Sequence, residues 1–192
     1  STCTKYGYRV RSRDSLGNQA ISSPSTFSTQ NCIGNAPIIS DNAKYIASSS
    51  GGIVDLLDSA QKGIVVGIPK SYYNSDAYIQ IKKLYKSNVI SSLPPPSGQK
   101  ALGDHVYALD AYVNPTTPIH FFNNTLTVTV QYSDQDISGI DVNSLKIHRF
   151  NGSTNLWEPL SNCVVNTTAK TITCETSKFS AFVLFGPETP TP

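Results

Sequence analysis

The 192-residue sequence contains no methionine, and only 15% of its residues are charged. Without an initiator methionine, we expect the chain to be a mature or excised piece of a longer protein. No run approaches the roughly 18 apolar residues of a membrane helix, so we expect no membrane insertion. The net charge of +2 disfavours a nucleic-acid partner, which needs clustered Lys and Arg. The most basic run, residues 82–86, is interpreted as a solvated strand face.

Residues typical of catalytic and metal sites are also sparse. The three histidines lie on different predicted strands, without carboxylates at ligand spacing: His105, His120 and His148. Asp134 and Asp136 are spaced like the first ligands of a calcium loop, and Asp141 follows. No bidentate Glu comes after them, so a structural turn is preferred. We therefore expect no metal, no cofactor and no enzymatic activity.

Cys163 and Cys174 flank two short β-branched runs separated by a polar turn. A hairpin centred on that turn places the two cysteines opposite each other and Val165 opposite Ile172. Directly opposed residues in a non-hydrogen-bonded antiparallel pair are close enough for a disulfide. The sequence therefore predicts a 163–174 disulfide.

Cys3 and Cys32 repeat this symmetry over a longer hairpin, centred on the turn-rich residues 14–18. No Cys-x-x-Cys pair occurs, which disfavours a metal site. We predict a second disulfide, 3–32. Because disulfides persist in oxidising compartments, we expect an extracellular or cell-surface location.

Alternation of polar and apolar residues runs through most of the chain and predicts an all-β fold. In residues 4–13 it places Tyr6, Tyr8 and Val10 on one face. Twelve further strands are predicted at 44–48, 52–57, 63–68, 77–86, 105–112, 117–121, 125–132, 144–150, 156–160, 163–166, 171–175 and 179–185. The proline-rich residues 91–98 are interpreted as a stiff, exposed loop.

Residues 6–18, followed by Ser-Ser-Pro-Ser at 22–25, resemble the last two strands of a fibronectin type III domain. The resemblance implies that Tyr6 or Tyr8 is a core tyrosine of that sandwich. The five earlier strands are missing, and a lone hairpin is marginally stable in water. We therefore predict that Tyr6, Tyr8 and Val10 form an interface, either with truncated strands of the parent protein or with another chain.

A second resemblance covers residues 44–186. Gly-Gly-Ile-Val at 51–54, Gly-Ile-Val-Val-Gly-Ile-Pro at 63–69 and Val-Tyr-Ala-Leu at 106–109 resemble the β-sandwich domain shared by ankyrins and netrin receptors. The resemblance implies protein–protein contacts, and similar segments occur in prokaryotic surface proteins beside fibronectin type III repeats. Some members cleave themselves before a Ser that follows His-Phe. Here Lys178 replaces that His before Phe179 and Ser180, so the base is missing and Ser180 is not expected to be a nucleophile.

These patterns predict a fibronectin type III-like hairpin (partial sandwich, 1–32), a linker (33–43), one β-sandwich domain (44–186) and a Pro/Thr tether (187–192). The expected function is that of a structural or adhesive module of a cell-surface or filament-forming protein. It would pair strands with copies of itself or with neighbouring domains. One alternative is a carbohydrate-binding or adhesion domain, with glycans as partners and Trp157, Tyr72 and Tyr73 as a sugar-stacking platform. Against this platform, the position of Trp157 after a turn and before a Pro favours a core anchor. The other is a self-processing domain that cleaves before Ser180.

Overall fold

Antiparallel strands account for nearly all regular structure in the computed structural model of this protein, which describes residues 5–23, 25–28 and 36–188. The predicted all-β class is confirmed. Among these residues the exceptions are one short helix, α1 (Lys86–Ile90), and a 3-10 turn (Val142–Ser144). None of the helical structure in the described ranges is long and apolar enough to cross a membrane. The chain divides into two units, residues 1–35 and 36–192.

The first unit contains four short strands: β1 (Lys5–Tyr8), β2 (Arg11–Arg13), β3 (Gln19–Ile21) and β4 (Ser25–Ser28). β1 pairs with β4, and β2 pairs with β3, both antiparallel. The two ladders are nested around one turn, which is the hairpin predicted from the alternation of residues 4–13. Cys3 and Cys32 lie outside the described residues, so the 3–32 disulfide remains a prediction.

The turn of this hairpin is organised by Asp14. Its Oδ1 accepts hydrogen bonds from the amides of Leu16 and Asn18, at 3.0 and 2.8 Å. Gly17 has φ +91°, a conformation that glycine adopts without the steric cost of a side chain. The hydrogen bond from the Asn18 side chain, together with those from nearby amides, lowers the pKa of the Asp14 carboxyl.

The second unit forms two sheets. The larger has eight strands, six of them in the spatial order β14-β13-β17-β10-β8-β5, with β11 paired to β10 and β9 to β17. The smaller has the order β15-β16-β12-β7-β6. The strands are β5 (Ile38–Ile46), β6 (Gly52–Leu57), β7 (Gly63–Ile68), β8 (Ala77–Tyr85), β9 (Gln99–Ala101), β10 (His105–Asn114), β11 (Thr117–Pro118), β12 (Leu126–Gln131), β13 (Lys146–Asn151), β14 (Leu156–Pro159), β15 (Ser161–Asn166), β16 (Thr171–Thr176) and β17 (Ala181–Pro187).

Alternating apolar residues of the two sheets form the main core. On β8, Ala77, Ile79 and Ile81 are fully buried, whereas Tyr78 between them is half exposed. β7 contributes Ile64 and Val66 from the opposite sheet. Because successive side chains of a strand point to opposite faces, this pattern joins two sheets into a sandwich.

A second buried cluster lies on the outer face of the larger sheet, where Trp157 packs against Phe150 and Phe185 at centroid distances of 5.4 and 5.5 Å. The indole Nε1 of Trp157 donates a 3.0 Å hydrogen bond to the carbonyl of Leu93, which is only 3% exposed. The prediction that residues 91–98 are an exposed loop is therefore wrong at Leu93. The carbonyl of this residue is bonded by an aromatic residue far along the chain.

The structure also shifts several predicted boundaries. Residues 38–43, assigned to the linker, form the first part of β5, because the long strand β8 offers them a partner as far as Leu84. At the other end, Pro187 still pairs with Gln99, so the tether begins later than predicted. The last strand starts at Ala181 instead of residue 179, and β9 was not predicted because its three residues are too few to show a period.

A turn at residues 58–62, between β6 and β7, has the same geometry as the turn of the first unit. The Oδ1 atom of Asp58 accepts the amides of Ala60 and Lys62, both at 2.9 Å. The amide of Asp58 donates to the carbonyl of Lys62 at 2.8 Å, as the amide of Asp14 donates to Asn18 at 3.0 Å. The hydrogen bond from the Lys62 amide is the main cause that lowers the pKa of Asp58.

Candidate functional site

The hairpin of the first unit carries a set of exposed apolar side chains. Between residues 9 and 23, every residue except the half-exposed Gly17 is exposed. Val10, Leu16 and Ile21 are 59%, 87% and 52% exposed. The pairing of β2 with β3 places Arg11 opposite Ile21, so the arginines and Ile21 share one face. The other face is uncharged and consists of Val10, Ser12, Ala20 and Ser22.

Tyr6 and Tyr8, the other two predicted interface residues, lie on β1 opposite Phe27 and Ser25. Their backbone pairing is described, but their side chains lie outside the described set. Their role at an interface therefore remains a prediction. Val10 lies between the two ladders, and it is the predicted interface residue whose side-chain exposure is described, at 59%.

The two sheets of the sandwich end in edge strands of different character. β5 is nine residues long and carries exposed Ile38 and Tyr45. Its outer edge has no paired strand among the described residues. By contrast, the edge strand β6 receives side-chain hydrogen bonds from β5: Asn42 donates to the Asp55 carbonyl at 2.8 Å, and Lys44 donates to the Ile53 carbonyl at 3.0 Å.

The disulfide between Cys163 and Cys174 confirms the predicted pair. It joins β15 to β16 within the smaller sheet, with the two Cα atoms 4.1 Å apart. Val165 lies opposite Ile172, as the symmetry about the turn predicted. Cys174 is fully buried, so the bridge anchors β15 to the core.

Ser180 lies in the turn that precedes β17, not within a strand as predicted. Its carbonyl accepts a 2.8 Å hydrogen bond from the Leu109 amide. The amine of Lys178, which stands where the self-cleaving proteins have His, lies over the ring of Phe121 at 4.7 Å from the centroid. Phe179 packs edge-on against Phe122, at 4.7 Å between centroids. The contacts of Lys178 and Phe179 are therefore structural.

The acidic run at 133–141 is a sequence of local turns. Asp136 accepts the amide and hydroxyl of Ser133, both at 2.7 Å, and Asp134 forms an ion pair with Lys170. Asp141 accepts the amide of Asn143 at 3.0 Å at the start of the 3-10 turn. No group of three or more His, Cys, Asp or Glu side chains in the described ranges is arranged to hold a metal ion.

The alternative of a sugar-stacking platform is wrong for Trp157 and Tyr72, and the preferred role of Trp157 as a core anchor is confirmed. Trp157 is buried, and Tyr72 is fully buried with its hydroxyl donating to the Ile46 carbonyl at 2.7 Å. Burial is the main cause that raises the pKa of Tyr72 to about 12. Among the described residues, Tyr45 and Tyr78 form an exposed pair of aromatic rings, edge-on at 5.1 Å.

A cavity of about 520 Å³ lies at one end of the second unit, between the ends of its strands. Four lysines from separate elements line it: Lys62 of the 58–62 turn, Lys83 of β8, Lys86 of α1 and Lys100 of β9. Lys83 belongs to the inward row of β8 that contains the buried Ile81. Its neighbour Lys82 points to the outer face and forms a 2.8 Å ion pair with Asp110. The interpretation of residues 82–86 as one solvated face is therefore wrong for Lys83.

The lysines of the cavity differ in their partners. Lys86 donates to the carbonyls of Ala101 and Gly103. In the described part of the chain, Lys62, Lys83 and Lys100 form neither an ion pair nor a side-chain hydrogen bond. The side chains of two lining carboxylates, Asp58 and Asp136, already accept bonds from backbone amides or a hydroxyl in their own turns.

Three aromatic side chains complete the wall. Burial is the main cause that lowers the pKa of His105, and the charge of Lys83 lowers it further. Tyr107 has its pKa raised to about 12, mainly by burial and then by the negative charges of Asp58 and Asp136. Tyr132 is 3% exposed, and its buried hydroxyl has no hydrogen-bond partner among the described residues.

The other two histidines lie apart from this cavity. His148 is buried on β13, edge-on to Phe185 at 4.9 Å, and burial lowers its pKa. His120 is exposed and follows the short strand β11, since the strand predicted at 117–121 stops at Pro118. Sequence reasoning therefore placed the histidines apart, as observed, but missed the lysines that surround His105.

No protein-family model matches the chain, and no curated protein matches it. The resemblances to a fibronectin type III hairpin and to the sandwich of ankyrins and netrin receptors therefore rest on the residues that carry them.

Proposed function

We propose that this chain is an extracellular structural or adhesive module of a cell-surface or filament-forming protein. It acts by pairing and packing its β-strands with copies of itself or with neighbouring domains. The observation that carries the proposal is the exposed hairpin of the first unit, whose uncharged face includes Val10.

The exposed hairpin is small. Two-stranded hairpins are marginally stable in water, and three or more strands with a buried face are needed for independent stability. Val10 and Ile21 each leave more than half of their surface in water. A second β-surface against the uncharged face of Val10 would bury apolar area and offer partners to unpaired backbone groups. A neighbouring domain or a second copy of the chain would provide such a surface.

The contrast between β5 and β6 supports the same mode of action. Side chains of β5 occupy carbonyls of β6, whereas the outer edge of β5 has no paired strand among the described residues. An open edge of nine residues is a template for strand addition, in which backbone hydrogen bonds supply the affinity. The Cys163–Cys174 disulfide supports the proposed extracellular location, because such bonds persist in oxidising compartments.

Association of the full chain tests the proposal. We expect its mass, measured by light scattering after size exclusion, to rise with concentration, and Val10→Asp to reduce that association. Leu16→Asp is the matched control, since Leu16 is exposed at the tip of the turn and away from the uncharged face. A chain that stays monomeric at all concentrations would exclude pairing between copies. If a neighbouring domain then also left the hairpin exposed, the proposal would fail.

A further inference from the structure

We propose that the cavity lined by Lys83, Lys100 and Tyr132 binds a uronic acid, a sugar that carries a single carboxylate. The cavity lies wholly within the second unit. The inference therefore goes beyond strand pairing and does not depend on it.

The charge of the lining calls for an anion. Lys62, Lys83 and Lys100 come from three different elements and reach one cavity without an ion-pair partner among the described residues. Bringing cations together in a partly enclosed site is unfavourable unless an opposite charge joins them. The carboxylates of Asp58 and Asp136 accept hydrogen bonds within their own turns. The pKa of Asp58 is lowered mainly by the hydrogen bond from the Lys62 amide and further by the charges of Lys83 and Lys62, so Asp58 offsets part of the lysine charge.

The net charge of the lining limits how much negative charge the anion can carry. The lining contains four lysines and three aspartates, the third being Asp104, which leaves one net positive charge with His105 neutral. A polyphosphate carries several negative charges, and the three carboxylates of the lining would repel it. A ligand with one carboxylate matches the lining, because charged hydrogen bonds from lysine to carboxylate are among the stronger ones.

The remaining lining favours a ligand rich in hydroxyl groups. Gln131, Ser133 and Gln135 contribute polar side chains, and Asp104 offers acceptors to hydroxyl donors. The volume of about 520 Å³ lies within the range usual for small-molecule sites.

Titration of the purified chain with D-glucuronate, followed by NMR and calorimetry at low ionic strength, tests the proposal. We expect saturable binding of D-glucuronate and at least about tenfold weaker binding of D-glucose, because a charged hydrogen bond is lost. Inorganic phosphate should bind more weakly than glucuronate, since it lacks the sugar's hydroxyls. Equal binding of glucose or of phosphate would overturn the assignment, as would the absence of glucuronate binding.

Variants of neighbouring lysines locate the site. Lys83→Met should weaken glucuronate binding by about tenfold or more, whereas Lys82→Met, on the opposite face of β8, should leave it unchanged. Equal effects of the two substitutions would overturn the placement.

His105 gives a readout that needs no variant. The charged groups that influence it are Lys83 on β8, Lys86 on α1, Asp104 beside it and Asp58 across the cavity. A carboxylate bound among these lysines favours the imidazolium, so glucuronate should raise the pKa of His105 in a wild-type NMR titration. The pKa of buried His148, outside the cavity, should not move. A shift at both histidines, or at neither, would contradict binding in this cavity.

Discussion

The turns at residues 14–18 and 58–62 have the same hydrogen bonds, but the residues beside them differ in burial. In each, an aspartate Oδ1 accepts the amides two and four residues later. Beside the second turn, Ile64 and Val66 are fully buried. Beside the first, Val10 is 59% exposed. The local chemistry of a hairpin is the same in both units, and what differs is the second layer of strands.

This difference separates two steps of folding a β-protein. Turn residues and alternation determine which strands pair and which side chains share a face. Burial needs a second sheet, and burial supplies most of the stability. The sandwich contains its second sheet. The hairpin, in the residues described, has one layer, and our account is that another module or chain completes it.

The largest expected effect comes from truncating the buried side of this comparison. Ile64→Ala should destabilise the sandwich by about 2–5 kcal/mol, since it leaves a cavity in a packed core. Val10→Ala should change the free energy of unfolding by less than about 0.5 kcal/mol in the dilute chain. Urea unfolding followed by the fluorescence of buried Trp157 measures the first, and comparable losses for both variants would break the comparison.

Removal of the disulfide should have the next largest effect. Cys163→Ala with Cys174→Ala should lower the free energy of unfolding by about 2–3 kcal/mol, because the bridge closes a loop with a sequence separation of 11. The reduced wild-type chain should behave in the same way. Preserved stability in both would mean that the two strands are held by the core alone.

The predicted 3–32 disulfide would join the two ends of the hairpin covalently, and the described residues of the hairpin have no second layer of strands. Peptide mapping without reductant should recover Cys3 joined to Cys32. Recovery of alkylated Cys3 would contradict both the pairing and part of the argument for export.

The smallest effect concerns the two turns at acidic pH. The pKa values of Asp14 and Asp58 are both lowered by hydrogen bonds in the folded state. Each therefore stabilises its turn above the ordinary aspartate pKa, and this is lost as the pH falls through the folded value. The amides of residues 16 and 18 should then shift as the hairpin turn opens, whereas residues 60 and 62 stay in place between packed strands. Simultaneous opening of both turns would contradict this.

Most strands could be predicted from the sequence because period-2 alternation and turn residues are local signals. β6 and β7 match their predicted bounds, and the pairing of Val165 with Ile172 follows from symmetry about one turn. The burial of Leu93 could not be predicted, because the Trp157 indole that donates to its carbonyl lies 64 positions later in the sequence.

The cavity could not be predicted for the same reason. Lys62, Lys83 and Lys100 are separated along the chain and meet only after both sheets form. One part of it was accessible: alternation along β8 places Lys82 and Lys83 on opposite faces, which excludes a single solvated face. Nothing in the sequence indicates that the buried hydroxyl of Tyr132 lacks a hydrogen-bond partner among the described residues.

Amide hydrogen exchange at residues 10–21, measured at low and high protein concentration, tests the central claim most directly. The account predicts fast exchange of these amides in the dilute monomer, beside slow exchange in β7 and β12. It predicts protection of the hairpin once copies associate or the neighbouring module is present. Amides of β2 and β3 as protected in the dilute monomer as those of β7 would contradict it, because the hairpin would then need no partner.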